Sequence, residues 1–352
     1  MDIYTTASIN RVIENARPPG SFLLDQFFPG VQTEPGSEEI HFDLTDSKPI
    51  LAPFVSPLSQ GKVIENEGYE TKSFKPAYVK PKFRINPNDP IKRAPGERIG
   101  GSLSPAQRQG MIMAQNVRRG LDMMARRENV MASEALRLGT VTVVGENYPT
   151  KVVNFGRHAN LTKALLTTAR WGESGVRPLR NLEDWAGEMT TIGGVSADIV
   201  VMDTKASQLL RDDPEYDKLV DRDATRWKET LRDGPVTIGV GNAAATFIGK
   251  LGQFELWQYN EPYMNDAGSV VNVLPDYTVI MGSRGPARNG VDGLEGTRCY
   301  GSIFDEKANW QAERFFGKSW LEEDPAVRWM LFQSAPLVVP YRPNASMCVT
   351  VR

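Results

Sequence analysis

The longest periodic pattern in this chain starts at Ser104 and stops at Gly139. Between them Met113, Val117, Leu121, Met124, Met131, Ala135 and Leu138 recur at steps of three, four or seven, which sets them on one face of a helix. Ser104 is a good N-cap, Pro105 fits the first helical position, and Gly139 fits the C-terminal cap. A helix from 105 to 138 would be roughly 50 Å long at 1.5 Å per residue, several times the helix of a compact domain. Its other face carries Arg108, Arg118, Arg119, Arg126, Arg127 and Arg137, while Gly110 and Gly120 weaken it and leave room for a bend or break. One apolar stripe on so long a helix predicts a spine along which a sheet is laid, not a cofactor groove.

Shorter patterns flank the spine. Ile40, Phe42 and Leu44 alternate with polar neighbours and predict a strand, on whose polar side His41 is a solvated residue. Residues 140–144 and 151–155 read as a hairpin. Residues 181–192 and 205–211 read as helices, and 197–202, 252–259, 270–274 and 278–281 as strands, a mix that suits a compact α/β lobe over about 176–304. The Gly-rich run 282–296 is expected as a surface loop. Trp310, Phe315, Phe316, Trp320, Trp329 and Phe332 crowd the last fifty or so residues, so the C-terminus is expected to be buried, ending in a strand pair at 337–341 and 347–351. Near the start, Phe22, Leu23, Leu24, Phe27 and Phe28 form one apolar anchor between Pro/Gly clusters, too little for a domain.

Residues 60–86 are the exception to this regular patterning. A turn signal at Asn66-Glu67-Gly68 separates strand-like runs, but the apolar residues are only Val63, Ile64, Tyr69, Phe74, Ala77, Tyr78, Val79, Phe83 and Ile85. A lone two-stranded hairpin is marginal in water. Pro57, Pro76, Pro81, Pro87 and Pro90 remove backbone donors and predict edge strands. Lys62, Lys72, Lys75, Lys80, Lys82 and Arg84 outnumber Glu65, Glu67 and Glu70. The segment is therefore expected to lie against something outside its own domain, another copy of the chain, in preference to folding back on its own body.

Bulk properties narrow the classes. The 352 residues suffice for about two domains. A net charge of −2 argues against a whole-protein nucleic-acid binder. Cys299 and Cys348 make no disulfide framework and read as reduced, packed thiols. No run approaches the about 18 apolar residues that span a bilayer, and the N-terminal stretch lacks the basic-then-apolar order of a signal peptide, so a soluble intracellular protein is expected. Chemistry-bearing patterns are sparse. His41 and His158 fall in different lobes, and no His/Cys/carboxylate set has metal-ligand spacing. The run before Gly249-Lys250 has Ala244 in place of the first glycine of a phosphate loop and Leu251 in place of its hydroxyl residue. The acidic run from Asp212 to Asp223 is interleaved with Arg211, Lys218 and Arg222 and reads as a solvated helix face. An α/β enzyme with its site in the second lobe would need a titratable cluster that the sequence does not offer.

Several short stretches carry a resemblance. They are Tyr4-Thr5-Thr6-Ala7, Val55-Ser56-Pro57, Gly61-Lys62-Val63-Ile64 and the run Phe74-Lys75-Pro76-Ala77-Tyr78-Val79-Lys80-Pro81-Lys82. Tyr300-Gly301 and Gln333-Ser334-Ala335-Pro336-Leu337 follow near the end. In order and spacing the chain resembles the major capsid proteins of lambda-like tailed phages, the phage major capsid protein E family; residues 160–290 match only in their pattern of elements. The resemblance implies an α+β chain with the Hong Kong phage-type major capsid fold. Its parts would be an N-terminal arm (1–49), an extended loop (50–90), a peripheral domain with a long spine helix (91–175), an axial domain (176–304) and a C-terminal return to the peripheral domain (305–352).

The implied function is assembly without catalysis, cofactor or metal: hexamers and pentamers closing into an icosahedral shell around double-stranded DNA. The implied partners are copies of the chain, portal, scaffolding and decoration proteins, and the packaged DNA by weak non-specific contact, with no membrane. The implied location is the virion, assembled in the host cytoplasm. Lys62, Glu65, Glu67, Tyr69, Lys72, Phe74, Lys75, Tyr78 and Lys80 are expected at the contact between subunits, with Lys62, Lys72, Lys75 and Lys80 pairing with acids of a neighbour. A bacterial nanocompartment shell of the same fold is the alternative.

Overall fold

The computed structural model describes residues 5–15, 21–45, 51–52, 54–55, 60, 63, 69–92, 97, 103–145, 148–216, 245–265, 267–285, 293–324 and 326–352. In chain order, helices α1 (Thr6–Asn15) and α2 (Phe22–Phe27) lead to strands β1 (Gly30–Thr33), β2 (Ile40–Thr45), β3 (Tyr69–Phe74) and β4 (Lys82–Ile85). The long helix α3 (Pro105–Leu138) follows, then the hairpin of β5 (Thr140–Gly145) and β6 (Tyr148–Asn154). Next come β7 (Thr162–Ala164), α4 (Pro178–Gly193), β8 (Ile199–Met202), α5 (Thr204–Arg211), β9 (Ala245–Leu251) and β10 (Phe254–Tyr259). Strands β11 (Pro262–Met264), β12 (Val270–Asn272), β13 (Thr278–Gly282) and β14 (Gly296–Tyr300) precede the final four, β15 (Phe316–Glu322), β16 (Val327–Gln333), β17 (Pro336–Pro340) and β18 (Ser346–Thr350).

Helix α3 is unbroken over 34 residues, and local chemistry sets both of its ends. The Ser104 hydroxyl accepts from the Gln107 amide while the Gln107 side chain accepts from the Ser104 amide, a reciprocal cap. Gly139 closes the other end at φ 67, in the left-handed region open to glycine. The Arg157 guanidinium then donates to the carbonyls of Leu136 and Arg137, which the helix leaves without partners.

Two apolar cores hang on this one helix. Met113, Val117, Leu121 and Met124 pack with Ile9, Ile85, Met330 and Phe332. Met131, Ala132, Ala135 and Leu136 belong to the larger core of the α/β lobe. The buried arc turns between them. At about 100° per residue it centres on Val117 and Met124 in the first half, and roughly a quarter-turn further round, on Ala125, Ala132 and Leu136, in the second. Leu138, expected on the apolar stripe, falls outside the rotated arc and is 49% exposed.

The larger core is a mixed six-stranded sheet in the order β7-β18-β13-β8-β10-β9. Every residue of β8 and β13 is buried, as central strands covered on both faces require. A second sheet, β1-β14-β17, draws the N-terminal segment into the body, with β1 parallel to β14. Phe22, Leu23, Leu24, Phe27 and Phe28 are fully buried beside it. Strands β17 and β18 thus lie in different sheets and do not form the pair that their sequence suggested. Gly249 and Lys250 lie inside β9, with no phosphate-loop turn before them among the described residues. The described feet of the 282–296 run, Ser283, Arg284 and Leu294, are buried.

The expectation for residues 60–86 needs correction. Described residues 69–85 lie in their own chain's sheets: β3 pairs antiparallel with β2, β4 pairs with the edge of β16, and Val79 bridges Ser334. Backbone pairing supplies here what apolar side chains do not. The turn at Asn66-Glu67-Gly68 lies outside the described residues.

The two spine glycines play opposite parts. A Cβ at Gly120 would stand 2.7 Å from the ring of Phe332, whereas one at Gly110 would meet nothing within 4 Å. Alanine normally stabilises a helix interior by about 1 kcal/mol over glycine. Gly110→Ala is therefore expected to raise the thermal midpoint and Gly120→Ala to lower it, because the buried Phe332 ring must shift. Melting curves of the two variants check this, and equal shifts would contradict it.

Candidate assembly surfaces

The base of the extended segment is a two-strand ribbon laid against the hairpin that follows the spine. The Lys72 ammonium donates to the Asn154 carbonyl of β6 at 3.2 Å and lies 3.5 Å from the Glu70 carboxylate. The Tyr148 hydroxyl donates to the Lys75 carbonyl at 3.0 Å. Tyr69 opens β3 opposite Thr45, and Phe74 packs against the larger core. Lys75 pairs with Glu38, and the hydrogen bond and charge of that carboxylate raise the lysine pKa. The Tyr78 hydroxyl donates to the Ser302 carbonyl at 2.6 Å, and partial burial raises its pKa. Lys80 lies 4.6 Å from the centre of the Tyr78 ring. Of the four lysines expected to meet a neighbour's acids, Lys75 meets one of its own chain instead, because β2 brings Glu38 alongside. Lys62, Glu65 and Glu67 lie outside the described residues.

Further along, β4 forms one edge of the sheet β15-β16-β4. Met330 and Phe332 face the spine, so Trp329 and Leu331 face outward by strand alternation. Trp329 sits directly between Trp320 and Arg84 across the three strands. The aromatic residues of the C-terminal segment therefore divide between two environments. Phe316 and Phe332 are buried, whereas Trp310 is 54% exposed and Trp320 36%, so those two are not core residues.

Beneath these surfaces, buried polar groups tie the spine to both lobes. Adjacent residues Glu128 and Asn129 point to different partners. Glu128 accepts from Arg314 at 2.9 Å and Tyr300 at 3.2 Å. Burial still raises its pKa, the attraction of Arg314 compensating only in part. Asn129 donates to the Tyr259 hydroxyl at 2.6 Å and to Glu261 at 2.9 Å. At one end of the central strands β8 and β13, Arg284 joins Asp198, Glu255 and the Gln26 amide oxygen, while Arg298 joins Asp25 and the Phe28 carbonyl. These ties pin the N-terminal segment. Sequence reading missed them because the partners lie far apart along the chain, Arg284 and Gln26 by 258 residues and Tyr300 and Glu128 by 172. The one available signal was Glu128 and Asn129, two polar residues in the middle of a helix's apolar half. Among the described residues no group of three or more His, Cys, Asp or Glu could hold a metal ion. Cys299 and Cys348 are buried and free, and burial pushes their thiols up to about 12 and about 11.

Ribbon and sheet edges presented by a rigid, internally tied body define a structural building block. The model of the family described as phage major capsid protein E matches residues 5–351, and the chain belongs to that family. It is a structural capsid protein, not an enzyme, and works by associating with copies of itself. It is 30% identical to the major capsid protein of Escherichia phage N15 and 29% identical to that of Escherichia phage lambda, each over 99% of both chains. Its fold is similar to a crystal structure described as that of a prophage capsid protein from E. coli CFT073. That match has TM-score 0.73 and 20% identity over 99% of both chains. The capsid of Ralstonia phage GP4 shares the fold at TM-score 0.54 and 9% identity, over 95% of this chain and 91% of that one.

The junction makes one pH-dependent contribution readable. Burial raises the pKa of Glu261 from its ordinary 4.5 more than its hydrogen bonds from Tyr259 and Asn129 lower it. The folded state thus holds this proton more tightly than the unfolded chain. Its stabilising contribution is complete below the unfolded pKa and is lost as pH rises through the folded one. Glutamine at 261 has no charge to desolvate. Its amide could also donate to Asn129 Oδ1, which has no partner among the described residues. Glu261→Gln is expected to be more stable than the parent at about pH 7 and to lose that advantage toward about pH 4. Thermal unfolding of both proteins across this range is the check; parallel curves would contradict it.

Proposed function

We propose that this chain is the repeating subunit of the head of a tailed double-stranded DNA phage, forming hexamers and pentamers that close into an icosahedral shell around the genome. The observation that carries the reading is the family match over residues 5–351. On this reading residues 1–49 are an arm, 50–90 an extended loop, 91–175 a peripheral domain, 176–304 an axial domain and 305–352 a return to the peripheral domain. The loop residues Lys62, Glu65, Glu67, Tyr69, Lys72, Phe74, Lys75, Tyr78 and Lys80 contribute contacts between subunits. Such contacts use unlike surfaces, and closure into a shell keeps them from growing into open polymer. Each is weak alone and effective in number.

Portal, scaffolding and decoration proteins are the further partners on this reading, and assembly takes place in the host cytoplasm. Contact with DNA is sequence-independent and falls steeply with salt. The exposed arginines Arg118, Arg119 and Arg127 of α3 are candidate phosphate ligands where they face the interior. The test is expression of the chain with its neighbouring head genes, followed by electron microscopy and extraction of nuclease-protected nucleic acid. Closed particles containing double-stranded DNA are expected. A discrete 39.1 kDa monomer would contradict the shell, and closed particles holding a cargo protein without DNA would identify a nanocompartment instead.

A further inference from the structure

Three cations of the 80–84 stretch rest on aromatic rings of their own chain. Lys82 Nζ lies 3.9 Å from the centre of the Trp329 ring and 5.1 Å from that of Trp320. Arg84 lies 5.9 Å from Trp329, and Lys80 lies 4.6 Å from Tyr78. All three are exposed, and none touches a carboxylate among the described residues. Stacking on a ring fixes where a cation stands without neutralising it, so the charge stays available to an anion approaching from outside. Lysine on an edge strand discourages indiscriminate strand pairing, yet it accepts a partner that brings carboxylates.

The same sheet displays such carboxylates at another place. Glu322, the last residue of β15, and Glu323 and Asp324, which start the turn after it, are all exposed. The Glu322 carboxylate accepts from Trp329 Nε1 at 2.8 Å, which anchors the turn at its base. Glu323 and Asp324 follow it, exposed, and among the described residues neither forms an ion pair with Lys82 or Arg84 of its own chain. The basic edge lies along the side of the sheet and the acidic turn at its end. Edge and turn differ in charge, so a second copy can offer its turn to the edge of the first, a contact between unlike surfaces. Phosphate is the other anion that the cations could meet, but it would leave the acidic turn of the same sheet unaccounted for.

We propose that the basic edge of one subunit, Lys82 and Arg84 seated on Trp329 and Trp320, docks the acidic turn of a second copy, Glu323 and Asp324. The contact rests on the shell-subunit reading and names one of its interfaces. Complementary charge sets the register and speeds encounter more than it adds affinity, so its loss reads out first as slow or incomplete assembly.

The experiment compares three variants with the parent: Lys82→Glu with Arg84→Glu, Glu323→Lys with Asp324→Lys, and all four together. All four positions are exposed, and unchanged melting temperatures of the subunits would show that folding is intact. Each double variant is expected to lower particle yield by about tenfold at low salt, and the fourfold variant to recover most of the loss. A fourfold variant no better than the two doubles overturns the contact while the parent still forms shells. Normal particles from Lys82→Glu with Arg84→Glu that fail only to retain DNA overturn it in favour of phosphate. A parent that forms no particles overturns the shell reading itself, and this contact with it.

Discussion

The spine helix is the constraint on which the rest of the molecule depends. A helix of 34 residues outruns any one core, so it must be buried by different neighbours along its length. Here the first half lies against α1 and the β15-β16-β4 sheet and the second against the α/β lobe, with the buried arc turning between the two. Gly120 lets Phe332 close onto the first half. At the middle, Glu128 and Asn129 stand on opposite sides of the change of partner. Their hydrogen bonds reach Arg314 and Tyr300 in one direction and Tyr259 and Glu261 in the other. The helix cannot shift along these neighbours without leaving one of the two groups buried and unpaired, at a cost of about 1–3 kcal/mol each.

That arrangement suits a shell subunit. A closed shell needs a subunit that keeps its angles, because small rotations add up over many copies. The N-terminal segment is pinned through buried Arg284 and half-buried Arg298, and the ribbon of β2 and β3 is tied to the hairpin after the spine. The described base of the extended segment therefore stands in a fixed place on the body. Residues 69–85, poor in apolar side chains, draw their order from backbone pairing with their own chain, supplemented by the polar contacts of Lys72, Lys75 and Tyr78.

What could be read from the sequence follows the range of the forces involved. The ends of α3 were legible because the reciprocal Ser104–Gln107 cap and the left-handed Gly139 are local chemistry. Strands β8 and β13 were legible because buried strands announce themselves as short apolar runs. Leu138 was misplaced because a stripe counted at fixed steps carries no record that the buried arc rotates. The pairing of β3 with β2, and of β4 with β16, joins residues far apart in sequence, and nothing in either strand names its mate. Lys82 and Arg84 were counted only as charge, since the tryptophans that seat them arrive more than two hundred residues later. The family resemblance supplied the order of parts, but not these contacts.

The central claim is that one helix makes two cores into a single rigid body. Native-state hydrogen exchange on the isolated subunit tests it most directly, by comparing amides of 113–124 with those of 131–136. The account predicts that both sets open with the same free energy and the same denaturant dependence, because neither core unfolds alone. A first half that opens several kcal/mol more easily than the second would mean two independent units joined by a helix, and would contradict it.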